Sequence, residues 1–195
     1  YHDKLHTPNT LINLIRMNMI SLRKIFVVAI IPLFFAGCSE YDKILKSDNT
    51  ELKYKKAFEY YEAEEYNKAS TLFKYLVPIY RATEKAAKIE YHYAQSLYKQ
   101  RDYILAGYHF GKFAENYGNS QYVEDAEFKN AYCYYMLSPR FSLDQKNTYK
   151  ALDAFQMFMR KYPGSERIDE AKEIVSELNN KLAKKSYRNS KLYFE

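Results

Sequence analysis

The sequence has 195 residues and contains no tryptophan, only five glycines, five prolines and two cysteines. Because glycine and proline mark turns, their scarcity predicts few turns and long helices. Two cysteines allow at most one disulfide. We expect none, because Cys133 lies in a helical pattern and Cys38 directly follows an apolar run. A chain of this length can form one ordinary domain or an array of small repeats.

A strong excess of charge of one sign is also lacking. The formal net charge is +6, and the first 37 residues, with four basic residues and one acidic residue, carry +3 of it. The balance left for the rest of the chain is too small to indicate nucleic-acid binding. We therefore expect no nucleic-acid partner.

The apolar run at residues 25–35 has about half of the roughly 20 residues that a membrane-spanning helix needs. Basic residues precede it in Ser21-Leu22-Arg23-Lys24, and the small residues Ala36 and Gly37 follow it before Cys38. This order is typical of a secretory signal. The ending Phe-Ala-Gly-Cys resembles a bacterial lipobox, which implies that Cys38 becomes the first mature residue and carries covalent lipid. The alternative is an ordinary signal that is cleaved after Ala36 or Gly37 and leaves an incidental thiol.

These features divide the first part of the chain. We assign residues 1–18 to upstream read-through, 19–37 to a lipoprotein signal peptide, and 38–49 to a lipidated N-terminus and tether. Lasting attachment to a membrane takes two or more acyl chains, and a diacylated cysteine meets that requirement.

The remainder contains an internal repeat. Large apolar residues recur at intervals of 37 and then 45 residues, in Phe73-Leu76-Tyr80, Phe110-Phe113-Tyr117 and Phe155-Phe158-Tyr162. Small residues recur at Ala57, Ala94 and Ala131, and at Ala69, Ala106 and Ala151. The eight extra residues of the third unit form a turn-rich insert at 138–145. Each unit is predicted to be a pair of helices, A and B, with small residues at their close approach and aromatic rings interlocking beside them.

The small–aromatic order and the period resemble the tetratricopeptide repeat. The predicted fold is therefore all-α, a helical-hairpin solenoid with three repeats and a following long helix over residues 50–183. Helices are expected near residues 50–64, 67–80, 83–100, 102–117, 120–137 and 146–162, with a longer one from about 166. Residues 184–195 are expected to begin a further repeat that the sequence truncates.

No group of residues suggests catalysis. His92 and His109 are isolated in sequence, His2 and His6 precede the signal, and Cys133 has the surroundings of a small buried residue. The spacing Gly107-x3-Gly111 lies on a predicted helix without the strand that a phosphate-binding loop requires. We expect no enzyme activity, no metal and no cofactor apart from the lipid on Cys38.

Aromatic residues on the predicted A helices form two columns at intervals of 37 residues. The first column is Tyr54, Tyr91 and Phe128, and the second is Tyr61, Tyr98 and Tyr135. In tetratricopeptide proteins these positions tend to face the concave surface, so the columns are candidates for a peptide-binding groove. The alternative is that the rings only pack between helices. The basic stretch Lys181, Lys184, Lys185, Arg188 and Lys191 is expected to be a solvated helix face rather than a lipid or partner surface.

Three features together resemble the BamD family of outer-membrane assembly lipoproteins, in the form found in Bacteroidetes. They are the lipobox, the insert with its following Thr148-Tyr149-Lys150-Ala151, and the phrase Phe155-x2-Phe158-x3-Tyr162-Pro163-x-Ser165, with an earlier copy that begins at Phe110. The resemblance covers residues 38–195. It implies a non-catalytic scaffold that is lipid-anchored on the periplasmic face of the outer membrane.

The implied partners are a BamA-like β-barrel assembly channel and unfolded outer-membrane protein precursors, with the N-terminal repeats receiving a precursor's targeting segment. The resemblance also implies about five repeats, of which this sequence would supply three and a beginning, so that the main docking surface for the channel would be missing. Two alternatives are another periplasmic tetratricopeptide adaptor, such as a cell-division or envelope scaffold, and a nutrient-uptake substrate-binding lipoprotein.

Overall fold

The computed structural model describes residues 40–194, with side chains described as far as residue 191. Residues 40–46 form helix α1, in a compact unit that ends at Asp48. A second compact unit begins at Asn49 and contains all the helices discussed below. The predicted signal, its cleavage region and Cys38 lie outside the described residues.

The second unit is a row of helices without strands in the part of the chain that is described. Its helices are α2 (Thr50–Glu62), α3 (Tyr66–Tyr80), α4 (Ala86–Lys99), α5 (Tyr103–Asn116), α6 (Val123–Met136), α7 (Lys146–Lys161) and α8 (Ile168–Phe194). Each helix packs against the next one in sequence. Helices α2, α4 and α6 are the A helices of three hairpins, and α3, α5 and α7 are their B helices. The prediction of an all-α, tetratricopeptide-like repeat fold is confirmed.

The core consists of the residues that carry the repeat pattern. Four phenylalanines and six alanines that recur in the sequence are essentially inaccessible to solvent: Phe110, Phe113, Phe155, Phe158, Ala57, Ala69, Ala94, Ala106, Ala131 and Ala151. Phe73 and Leu76 of the first hairpin are equally buried. The alanines allow neighbouring helices to approach, and the rings fill the space beside them. Since a single hairpin leaves one apolar face uncovered, the hairpins must stack to bury it.

The first two hairpins use the same turn between helix A and helix B. Glu64 and Arg101, which are 37 residues apart, adopt the left-handed backbone conformation, with φ angles of 60° and 63°. The amide of Glu65 then donates to the carbonyl of Tyr60 at 2.8 Å, and the same bond recurs in the second turn at 3.0 Å. This bonding pattern satisfies carbonyls at the end of the A helix and reverses the chain.

The third hairpin replaces that turn with the insert at residues 138–145, which has a small polar centre. The Gln145 side-chain amide is buried and donates to the carbonyls of Arg140 (3.0 Å) and Leu143 (2.8 Å). The buried hydroxyl of Thr148 donates to the Gln145 side-chain oxygen at 2.8 Å. These bonds supply the insert with partners that a regular turn would have provided from the backbone.

Helices α5 and α6 approach closely at Gly107. A Cβ atom built on this glycine would lie 3.1 Å from the Cβ atom of Cys133, and the Asn130 side-chain amide donates to the Gly107 carbonyl at 2.6 Å. Cys133 is a buried free thiol whose pKa burial raises to about 12. The spacing Gly107-x3-Gly111 is therefore explained by helix packing.

Helix α8 covers the end of the third hairpin. Ala171, Ile174 and Leu178 belong to one buried cluster with Phe128 and Phe158. The helix is continuous through residue 184, where the sequence placed the start of a further repeat. The backbone therefore carries no boundary at that position, and the further repeat stays a prediction.

Candidate peptide-binding groove

The A-helix face is the surface to which α2, α4, α6 and the start of α8 contribute side chains. The first predicted column runs from its edge into the core, because Tyr54 is half-buried whereas Tyr91 and Phe128 are only 9% and 5% exposed. Phe128 packs edge-on against Phe155 and Phe158 of α7, with ring centroids 5.6 Å and 5.3 Å apart. In the second and third hairpins this column is therefore mainly core.

Tyr91 belongs to this core, and its hydroxyl also makes hydrogen bonds. Its ring stacks on Tyr122, with centroids 4.3 Å apart. Its hydroxyl donates to the Asp125 carboxylate and accepts from the side-chain amide of Gln95 at 2.5 Å. Burial and the neighbouring carboxylate raise the pKa of Tyr91 far above its usual value, so the phenol stays protonated.

Asp125 joins three elements of the A-helix face. Besides Tyr91 of α4, it accepts from Lys129 of its own helix at 2.9 Å and from Arg167, just before α8, at 2.5 Å. Burial acts to raise the pKa of Asp125, but the hydrogen bonds from Tyr91, Lys129 and Arg167 outweigh it and hold the pKa below its usual value. Burial also lowers the pKa of Lys129, although Asp125 partly offsets this. A charged cluster thus ties the second hairpin, the third hairpin and α8 together.

No pattern in the sequence indicates this cluster. Arg167 is 42 residues from Asp125, and Tyr91 is 34 residues from it on the other side. Both sequence separations are longer than any single hairpin helix, so no local spacing of residues indicates the contact. Only an alignment of hairpins in three dimensions brings the groups together.

The second predicted column stays closer to solvent. Tyr61, Tyr98 and Tyr135 are all half-buried. Tyr61 and Tyr98 make equivalent edge-on contacts with the first tyrosine of the following B helix, at centroid distances of 5.6 Å and 5.7 Å. Burial raises the pKa of Tyr98 to about 12. The structure therefore separates the two columns, and the second one retains accessible ring surface.

Tyr135 differs from the other members of its column. Its hydroxyl donates to the Glu177 carboxylate of α8 at 2.6 Å, and this bond, together with partial burial, raises the pKa of Tyr135 to about 12. The hydroxyl is already engaged within the chain. Tyr61 and Tyr98 are therefore the stronger candidates for contact with a ligand.

His92 lies between the two columns. It is half-buried among the rings of Phe58, Tyr61 and Tyr91, at centroid distances of 4.9, 5.0 and 5.3 Å. Its Nδ1 atom is 2.8 Å from the carbonyl of Lys88. Burial lowers its pKa, so the neutral imidazole is favoured at neutral pH. His92 thus extends the aromatic surface from α2 to α4.

A cleft of about 870 Å³ lies beside the same face on α2. Leu52, Tyr54 and Phe58 supply its apolar wall, and Lys55 and Lys88 stand among the charged residues that line it. The cleft and the tyrosine column together offer rings for side chains and hydroxyls for peptide groups. This arrangement suits an extended or helical peptide rather than a small-molecule reaction.

The basic stretch of α8 contacts the insert. Lys181 donates to the Ser138 hydroxyl at 3.0 Å, and Lys185 donates to the Leu143 carbonyl at 2.5 Å. Lys184 and Arg188 lie over the Phe141 ring, at 4.8 Å and 5.6 Å from its centre. These side chains therefore hold the insert in place, a role that the expectation of a solvated face did not include.

A family model for outer membrane lipoproteins, YfiO, matches residues 46–195. The chain belongs to the YfiO family. The match covers every helix from α2 to α8 and begins after Cys38. No curated protein matches the chain significantly. Among the described residues, none of the helices has both the length and the apolar character that crossing a bilayer requires.

Membership in the YfiO family supports the outer-membrane lipoprotein prediction at the level of the family. The Bacteroidetes form, the lipid on Cys38 and the named partners stay predictions. No group of three or more potential metal ligands occurs among residues 40–194.

Proposed function

We propose that this protein is a non-catalytic, lipid-anchored scaffold of β-barrel assembly, which faces the periplasm from the outer membrane and holds segments of unfolded barrel precursors. Three observations support the proposal: the YfiO family match, the stacked helical hairpins, and the accessible second tyrosine column. A BamA-like channel would be its membrane partner. The observation that carries the binding proposal is the contrast between the two columns.

The contrast matters because barrel precursors are built of alternating strands that are rich in aromatic residues. Such a strand has unpaired backbone groups until it is inserted, so a scaffold must hold it without pairing it permanently. Tyr61 and Tyr98 offer ring faces for side chains and hydroxyls for peptide groups on one surface. Each contact would contribute about 1 kcal/mol, which suits reversible holding.

Alanine substitution tests this groove. The double variant Tyr61→Ala with Tyr98→Ala is expected to crosslink less to a C-terminal peptide of a barrel precursor, because it loses the ring surface on α2 and α4. The purified variant should keep its helical circular dichroism, since both side chains are only half-buried. Crosslinking yield and circular dichroism are measured on the same sample.

Tyr187→Ala on α8 provides a matched control, because this tyrosine is 74% exposed and lies outside both columns. It should crosslink as the unchanged protein does. Normal crosslinking in a folded double variant would contradict the groove. Loss of helicity would show that the two rings belong to the core.

A further inference from the structure

The B-helix face is the surface formed by the exposed sides of α3, α5 and α7. Of eleven large hydrophobic side chains that are exposed in the described part of the chain, seven lie on these three helices: Tyr75, Ile79, Ile104, Leu105, Tyr108, Tyr149 and Met157. Ile104 is 69% exposed and Met157 is 62% exposed. The proposed peptide groove uses none of these residues.

Some of these side chains occupy equivalent repeat positions. Ile104 and Tyr149 are 45 residues apart and occupy equivalent positions on α5 and α7. Within each helix the exposed residues recur three or four positions apart. On α7, for example, Lys146, Lys150 and Asp153 are exposed. Hairpins that stack in the same register therefore present one shared surface.

The same helices have a net positive charge, which the A helices lack. Helices α3, α5 and α7 contain seven lysines and arginines but only two acidic residues, whereas α2, α4 and α6 contain six basic and seven acidic residues. The resulting balance is +5 on the B helices and −1 on the A helices. Helix α3 has no acidic residue.

Part of this charge is already neutralised and part is open to solvent. Lys112 pairs with Glu115 at 2.8 Å, and Lys161 pairs with Glu127 at 2.5 Å. Lys74, Lys150 and Arg160 are exposed on α3 and α7, and the Lys150 ammonium lies 5.2 Å from the centre of the Tyr134 ring of α6. Protein surfaces that lie in the headgroup region of anionic membranes typically combine exposed rings and aliphatic groups with basic residues.

We propose that the B-helix face docks onto an anionic phospholipid surface. Charge complementarity carries the choice of occupant, because exposed basic residues of α3 and α7 stand on either side of α5 in the row of hairpins, and α5 exposes Ile104 and Tyr108. The bases would contact phosphates, while Ile104, Tyr108 and Met157 would enter the headgroup layer. This contact would turn the opposite, A-helix face away from the bilayer and toward the periplasmic space, and it does not depend on the peptide groove.

Depth-dependent quenching tests the proposal on the full chain reconstituted into vesicles. A fluorescent amino acid replaces either Ile104, on the B-helix face, or the exposed Glu62 at the end of α2. With lipids that carry a nitroxide on the headgroup, fluorescence at position 104 should be quenched strongly in phosphatidylglycerol-containing vesicles and weakly in phosphatidylcholine vesicles. Fluorescence at position 62 should change little in either.

Charge variants make the test specific. The double variant Lys74→Gln with Lys150→Gln should lower the equilibrium constant for this membrane contact, as measured by quenching, about fivefold for each lysine removed. Lys99→Gln with Lys172→Gln removes the same charge from exposed positions outside the B helices and should leave quenching at position 104 unchanged. Added salt should reduce the quenching, because exposed charges are screened.

Equal quenching at positions 104 and 62, or no dependence on anionic lipid, would overturn the proposal. Shielding of position 104 only when acidic envelope proteins are added would overturn it as well, and would assign the face to a protein partner. Peptide crosslinking at Tyr61 and Tyr98, measured in detergent, reports on the groove alone. The two proposals can therefore fail separately.

Discussion

Single residues set the geometry of the hairpin turns. Glu64 and Arg101 occupy a left-handed conformation that costs a side-chain-bearing residue about 1–2 kcal/mol and that glycine adopts freely. Glu64→Gly is therefore expected to raise the free energy of unfolding by about 1 kcal/mol, and Arg101→Gly should do the same. Urea unfolding followed by circular dichroism measures both.

A helical position provides the control. Lys55→Gly lies in the middle of α2, where glycine costs about 1 kcal/mol relative to good helix formers. This variant should be less stable than the unchanged chain. Destabilisation by Glu64→Gly would show that the side chain at residue 64 contributes more than its backbone costs.

Asp125 is the residue on which the charged cluster depends. Asp125→Asn leaves Lys129 and Arg167 without their shared anion and should lower the free energy of unfolding at neutral pH by about 2 kcal/mol. Because the folded-state pKa of Asp125 lies below the ordinary value of 3.8, its contribution is complete above that value. The contribution is lost as the pH falls through the folded-state pKa.

The stability difference between the unchanged chain and Asp125→Asn should therefore shrink in acid. Thermal unfolding at several pH values below neutrality measures this difference. Asp153→Asn, at an exposed position on α7, should change stability by less than about 0.5 kcal/mol. A difference that stays constant down to strongly acidic pH would exclude the ionised carboxylate as its source.

The close packing of α5 against α6 limits which side chains residue 107 can carry. Gly107→Ala would place a methyl group 3.1 Å from the Cβ atom of Cys133, and this atom cannot move without its helix. Overpacking of this kind costs about 1–3 kcal/mol, which is at least as much as the helix propensity that alanine gains. We expect a net loss of stability in urea unfolding.

Gly164→Ala tests the same substitution without the contact, because nothing lies within 4 Å of its added Cβ atom. This variant should unfold at the same urea concentration as the unchanged chain or a higher one. If both alanine variants are equally stable, the close approach of α5 and α6 is not what requires glycine at residue 107.

The elements themselves could be predicted from the sequence because each carries its own period. Phe110 and Phe113 recur with the alanines, and the predicted helices match the observed ones to within a few residues. The burial of the two aromatic columns could not be predicted, since burial of Tyr91 depends on Tyr122 and Asp125 of the next hairpin. Contacts across 30 to 40 residues leave no mark on local spacing.

At the scale of the whole molecule, Cys38 is the predicted site of attachment to the membrane. Cys38→Ser should abolish incorporation of labelled fatty acid and release the protein from membranes, because the thiol is the proposed attachment atom. Metabolic labelling and membrane fractionation measure the two effects. A variant that is still labelled and fully membrane-bound would contradict the lipobox interpretation.

The contacts between α8 and the insert couple the opening of two segments that are far apart in the sequence. In a simple solenoid each unit packs only on its neighbours, so a loop between two helices can open by itself. Here Lys181 and Lys185 reach back 42 to 43 residues to the segment between α6 and α7. Local unfolding of α8 around residues 181–185 therefore releases the insert as well. The two segments form one cooperative opening unit, and their amides should lose protection from hydrogen exchange together.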